Sequence, residues 1–340
     1  MSFPLADWIN AHPDAPHHLA HSGMVGSLRS LPRALRHPPD PDPDALRGAL
    51  ARRYGVHPSR VFLTHGASEG NSVALLYLAR ATARETGRTP RIFTPRLEYP
   101  PIPDTAAAVG FRRVDAPAGA DLVAFSAPRN PEGTRVDPRD SAGWGEDGRP
   151  LLVDQTFREF TEDPPWTRQG RPGLWLTGSF TKVYGADRFR VGFVIPPEAQ
   201  EDAFALVHGL VLDLIPHVSV SAALAILAHR DEILAESRGL FRRNERILRS
   251  AVPGVPELAA PVWFDRGERG LDGDRLARAA LRAGVLVCSG SFFGDPTGVR
   301  LCLTRRGFAD DLEAYLRVRA RFLDFSPEFG RGRRKRSVPA

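Results

Sequence analysis

The chain has 340 residues, 42% hydrophobic and 25% charged, enough apolar surface for a core larger than one minimal domain, which excludes a disordered or collagen-like chain. A disulfide scaffold is excluded as well, because the two cysteines, Cys288 and Cys302, read as small buried hydrophobes. The net charge of +6 sits in Arg331, Arg333, Arg334, Lys335 and Arg336; without these, 41 basic residues face 40 acidic ones. The tail at 329–340 therefore reads as a disordered, solvated charge run, and the nearly neutral body does not ask for a nucleic-acid partner. No apolar run approaches the roughly 18 residues of a membrane span, and MSFPLADWINAHPD lacks the basic start and apolar block of a signal peptide, so a cytoplasmic protein is expected.

The first 40 residues are rich in Pro and His, show no strong period, and are expected to join the C-terminal unit. Between about 60 and 250, short β-branched or aromatic runs alternate with helical patterns, the mark of a mostly parallel sheet sandwiched by helices. The strands are expected at 60–66, 91–95, 122–128, 151–157, 174–180 and 190–197. After the first strand, SEGNSVALLYLARATARETG reads as a helix capped by Ser68 and ended at Gly87. An apolar stripe over 218–250 predicts one long helix. The Pro-rich joint AVPGVPELAAPVW then opens a smaller α+β unit of strand (262–267), helix (272–284), two strands (285–291 and 299–304) and a last helix (310–325). This divides the chain into an N-terminal segment (1–40), a large domain (41–250), a small domain (251–328) and the tail.

Of 46 basic residues only Lys182 and Lys335 are lysines. Guanidinium keeps its proton and cannot form an imine, whereas a desolvated amine can do both, which singles out Lys182, the lysine inside the body, for chemistry that arginine cannot perform. Gly66-Ala67-Ser68-Glu69-Gly70, at a strand-to-helix turn, suits either a phosphate cradle or a G-x-S-x-G nucleophile elbow with Ser68 as nucleophile. The elbow of an α/β-hydrolase needs a late histidine, yet all ten histidines lie at or before His229. Asp154 interrupts a buried run, where a carboxylate demands a cation or a strong donor. With Asn130, Ser179 and Arg190 it forms a series at successive strand ends, where open α/β sheets place ligands.

The series resembles the pyridoxal-phosphate enzymes of fold type I, specifically the class I/II aminotransferase family of the histidinol-phosphate aminotransferase-like kind. SFTKVYGADRFRVG is similar to that family's lysine segment. The resemblance implies that Lys182 is the Schiff-base residue, with Ser179 and Arg190 on the cofactor phosphate, joined by Ala67 and Ser68 of GASEG. It implies further that Tyr99 of PRLEYP stacks on the pyridine ring, Asn130 of NPEG meets the ring hydroxyl, and Asp154 of VDQTF meets the ring nitrogen. Arg300 of GVRLCLT is then the ligand of the substrate carboxylate. Two departures stand out: Gln155 replaces an acid at a position expected not to touch the cofactor, and Phe157 replaces a tyrosine that donates to the ring oxygen. The implied protein is a homodimer exchanging an amino group between an L-amino acid and a 2-oxo acid. The same residues would serve an α-decarboxylase or lyase, which breaks a different bond.

Overall fold

Strands that are apolar on both faces need cover on both sides, and the hydrophobic runs of this sequence fold accordingly. The computed structural model describes residues 4–325 apart from 137–143, 145, 146, 213 and 268–270. The N-terminal part forms α1 (Pro4–Asn10), β1 (His17–His18), α2 (Ser30–Ala34) and α3 (Pro43–Tyr54). There follow β2 (Phe62–Thr64), α4 (Ala67–Thr86), β3 (Arg91–Phe93), α5 (Pro101–Ala108), β4 (Arg112–Arg113), β5 (Leu122–Ser126), β6 (Leu151–Asp154) and β7 (Leu174–Ser179). Next come β8 (Gly192–Ile195), α6 (Glu201–Val211), α7 (His217–Ala228) and α8 (Arg230–Ala251). The chain continues through β9 (Val262–Asp265), α9 (Gly273–Arg282), β10 (Val285–Leu286), β11 (Cys288–Ser289), β12 (Val299–Cys302) and α10 (Phe308–Phe325).

The large sheet runs β2-β8-β7-β6-β5-β3-β4, with β8 antiparallel to both neighbours and the remaining pairs parallel. Alternation along the strands divides their side chains between two cores. Leu122, Ala124 and Leu152 pack with Val73, Leu75 and Leu78 of α4, whereas Val123, Phe125, Leu151 and Val153 pack on the opposite side with Trp166. The register sets Ser126 beside Asp154 and Asp154 beside Thr177, which brings three polar residues to one level at the ends of parallel strands.

All six predicted strands of this region are present but shorter, and β4 is an addition. The helix after β2 ends at Gly87 as expected, with φ 66°, but its cap is Gly66, and Ser68 lies inside the first turn. Glu69, in the same turn, reaches back so that its carboxylate accepts the His65 N–H. The stripe at 218–250 breaks at His229 (φ −105°, ψ 18°) into α7 and α8. Both helices turn apolar side chains to the same core, including Ile226 and Ile233, so the periodicity runs through the break. The predicted strand at 285–291 is also two: β10 pairs in parallel with β1, whereas β11 pairs antiparallel with β12.

The three-stranded sheet β11-β12-β9 forms the centre of the C-terminal part. The N-terminal segment crosses between this sheet and the large one: Cys302 N–H donates to Leu19 O at 2.7 Å, and Met24 N–H donates to Lys182 O at 2.9 Å. A second tie is Gly133 (φ 79°), whose carbonyl accepts Ala259 N–H and Ala260 N–H at 2.7 and 3.0 Å. Cys288 and Cys302 are both buried, as their reading as hydrophobes requires. Among the described residues no helix is long and apolar enough to cross a membrane, and the basic tail lies outside them.

Candidate active site

Strand ends, the start of α4 and the N-terminal segment converge on a cavity of about 390 Å³. Ala67 and Ser68 line it from α4, Tyr99 from the loop after β3, Asn130 from the turn after β5, and Asp154, Lys182 and Arg190 from the ends of β6 to β8. Seven of the nine residues singled out in the sequence therefore share one space. Ser179 and Arg300 do not line it. The Ser179 hydroxyl accepts Thr181 N–H at 3.0 Å and lies 2.9 Å from Thr181 Oγ1, and it is Thr181 that faces the cavity. Arg300 lies behind Asn130, donating from Nη1 to Asn130 Oδ1 at 3.3 Å and from Nη2 to Ala20 O at 2.9 Å.

Asp154 is buried and held by donors from two directions. Asn71 Nδ2 donates to Oδ2 at 2.8 Å and Thr156 N–H donates to Oδ1 at 2.9 Å, while Thr177 Oγ1 donates to Asn71 Oδ1 at 2.7 Å. The carboxylate thus both caps its own turn and faces the cavity. Arg300 is the complementary case, a buried guanidinium, 2% exposed, stacked 4.7 Å over Phe293. Among the described residues no carboxylate lies within ion-pair distance of it, and its Nε has no partner. Its other donors meet the Asn130 and Ala20 oxygens and, at 3.6 Å, Cys288 Sγ.

At the N-terminus of α4 the backbone takes a conformation that favours glycine. Gly66 has φ 94° and ψ 168°, and a Cβ there would lie 2.9 Å from Arg190 Nη2. Arg190 also has a left-handed backbone (φ 50°), and its Nη2 donates to His65 O at 3.1 Å, so the guanidinium hangs over the unsatisfied N–H groups of the first helical turn. Burial, then the like charge of Arg300, lowers the Lys182 amine from 10.5 to about 8. The N-terminal segment closes this side: Ser22 lines the cavity, and burial together with the Lys182 charge lowers His21 to about 4.

These positions decide between the two readings of GASEG. The Ser68 hydroxyl lies 3.4 Å from Tyr99 Oη, and among the described residues no histidine is hydrogen-bonded to it, so the nucleophile elbow is discarded. The sequence profile of the class I and II aminotransferases matches residues 3–307. The chain belongs to the class I and II aminotransferase family. Over 307 residues this aminotransferase is 31% identical to an aromatic amino acid aminotransferase of Thermobifida fusca (strain YX), covering 82% of this chain and 80% of that one. It is 29% identical to a histidinol-phosphate aminotransferase of Halobacterium salinarum (strain ATCC 29341 / DSM 671 / R1) over 80% of each chain. An aminotransferase from Mycobacterium tuberculosis shares the fold, with a TM-score of 0.76 at 20% identity over 96% of this chain and 97% of that one.

Several residues at the cavity or behind its wall were not singled out in the sequence. Asn71 was legible as a polar residue on an otherwise apolar helix stripe, and Ser126 through its place beside Asp154 once the strands are paired. Glu98 adjoins Tyr99 and is buried, a burial that nothing in an extended loop sequence announces. Gln155, as expected, does not line the cavity, and Phe157 does.

Proposed function

We propose that this aminotransferase binds pyridoxal 5′-phosphate and moves an amino group between an L-amino acid and a 2-oxo acid, with Lys182 as the Schiff-base residue. The observation that carries the reading is the Lys182 amine, lowered to about 8 by burial, in one cavity with buried Asp154. The residues present fit the cofactor. A cradle that a Cβ at Gly66 would fill lies under the Arg190 guanidinium, and a buried acid and an aromatic ring share the cavity.

When bound, pyridoxal phosphate supplies an aldehyde for imine formation and a ring that takes up carbanion charge. Arg190, Ser68 and the first N–H groups of α4 would hold its phosphate, with Ser179 acting through Thr181. Tyr99 would stack on its ring. Asp154, its own geometry set by Asn71 and Thr156 N–H, would hold a proton at the ring nitrogen, and Asn130 would meet the ring hydroxyl. Arg300 would pair with the substrate carboxylate and so orient the Cα–H bond, and Nζ of Lys182 would move the proton between the substrate Cα and C4′ of the cofactor. A neutral amine is needed for that step, and the lowered Lys182 supplies a large neutral fraction near pH 8. Phe157 brings no donor, which leaves Asn130 as the ring hydroxyl's partner among these residues.

The division into domains at 41–250 and 251–328, with the cavity roofed by the N-terminal segment, belongs to the same proposal. So does a homodimer: Leu206, Leu210, Leu214 and Val218, between 65% and 87% exposed, make an apolar row on α6, the turn after it and the start of α7 that suits a second copy of the chain. The test is the visible absorption of the purified protein with single amino acids added. Absorption that bleaches with one amino acid and returns with a 2-oxo acid supports transamination and names the donor. Persistent absorption with release of carbon dioxide or an alkene product moves the activity to decarboxylation or elimination, and a protein that takes up no pyridoxal phosphate refutes the proposal.

A further inference from the structure

One fully buried carboxylate has no part in the mechanism above. Glu98 precedes Tyr99 and is 3% exposed, and among the described residues no cation lies within ion-pair distance of it. Its oxygens are nonetheless occupied: Oε1 accepts Tyr99 N–H and the Ser126 hydroxyl, each at 2.6 Å, and Oε2 accepts Ser126 N–H at 2.9 Å. Three donors and no acceptor face the group, an arrangement that only an ionised carboxylate satisfies without turning the serine hydroxyl. Burial, with the charge of nearby Asp154, pushes Glu98 up to about 7.

The partners are not arbitrary. Tyr99 and Ser126 both line the active-site cavity, and Ser126 pairs in register with Asp154 on the next strand. The loop carrying Tyr99 belongs to no strand at this point. The Glu98 carboxylate ties that loop to the end of β5.

We propose that Glu98 is a positioning residue of the active site: its carboxylate sets the Tyr99 ring and the Ser126 hydroxyl on the cavity wall for the group bound against them. The inference rests on the pyridoxal phosphate reading. Glu98→Gln has the same shape but one acceptor lobe instead of two, so its NH₂ must oppose an N–H, at Ser126 when the amide oxygen keeps the two donors of Oε1.

The experiment titrates wild type and Glu98→Gln with pyridoxal phosphate, reading the dissociation constant by absorbance and the circular dichroism of the bound cofactor's visible band per molecule bound. The expected result is about tenfold weaker binding and a visible band changed by more than twofold, with unaltered far-ultraviolet dichroism. A dissociation constant or visible band within twofold of wild type overturns the inference. A merely structural role would leave the band of the bound fraction unmoved. Should Glu98→Gln fail to fold, Ser126→Ala, which removes the hydroxyl donor and keeps both N–H donors, carries the test: a changed visible band supports the clamp and an unchanged one overturns it. Wild-type protein that takes up no pyridoxal phosphate fails at the first titration, which separates collapse of the cofactor reading from failure of the Glu98 assignment.

Discussion

The replacement Gly66→Ala tests the cradle at the start of α4. With φ 94° and ψ 168°, Gly66 occupies a region essentially restricted to glycine, and forcing another residue into it costs about 1–3 kcal/mol. The added Cβ would lie 2.9 Å from Arg190 Nη2. The backbone cannot retreat, because a Cβ on the facing Gly192 would already be 2.4 Å from the Gly66 carbonyl carbon. Arg190, whose guanidinium is the flexible partner, therefore moves, and its place over the first helical turn is lost. One charge-assisted hydrogen bond is worth about 1.5–3 kcal/mol, so pyridoxal phosphate should bind about ten- to a hundredfold more weakly. The backbone cost should lower the unfolding midpoint of the cofactor-free protein by roughly 1–4 °C. Fluorescence-monitored titration and thermal unfolding read the two effects separately. Wild-type affinity in a variant that also unfolds at the wild-type temperature refutes the reasoning.

Lys182→Arg keeps the charge but not a removable proton, so single-turnover assays should show a loss of at least about 10²–10⁴-fold, and near-normal turnover would reject Lys182 as the base. With the amine lowered to about 8, the neutral form dominates above that pH, so the rate of pyridoxal phosphate uptake should rise with pH and level off above pH 8. An ordinary lysine, at 10.5, would level off only well above pH 8. Arg300→Gln leaves the substrate carboxylate without its partner, a loss of about 2–5 kcal/mol that should raise KM for the amino donor about 30-fold or more; an unchanged KM removes Arg300 from the substrate site. Gly133→Ala puts a Cβ 1.9 Å from Val262 O at φ 79°, and left-handed strain with overpacking should cost about 2–5 kcal/mol in denaturant unfolding. A stability within 1 kcal/mol of wild type, on the order of a minor surface change, would show that the contact with β9 yields.

Much of the site was written in local sequence. Lys182 stood out because arginine has replaced lysine elsewhere in the body, and Asp154 because a carboxylate ends a buried run. Asn130, Tyr99 and Arg190 were carried by short motifs whose spacing is local, and the structure brings all of these residues to one cavity. Strand positions were legible because apolar runs bounded by turns are a local signal. Their ends were not, since hydrogen-bond pairing with a neighbour decides where a strand stops, as at 285–291, where β10 and β11 take different partners. The break at His229 was hidden because two helices facing one core share one apolar stripe.

Composition and motif by themselves determined the family, singled out the lysine that lines the cavity and placed the strands around it, because each depends on residue identity and short spacing. Tertiary structure alone decided what each polar group meets. Thr181 rather than Ser179 faces the cavity because the strand's end turns the Ser179 hydroxyl back on its own backbone. Arg300 lacks a carboxylate among the described residues, and Glu98 is buried under three donors, because residues far apart in sequence are closed around them, and the energies of buried charges depend on that surrounding and not on the residues beside them in the chain.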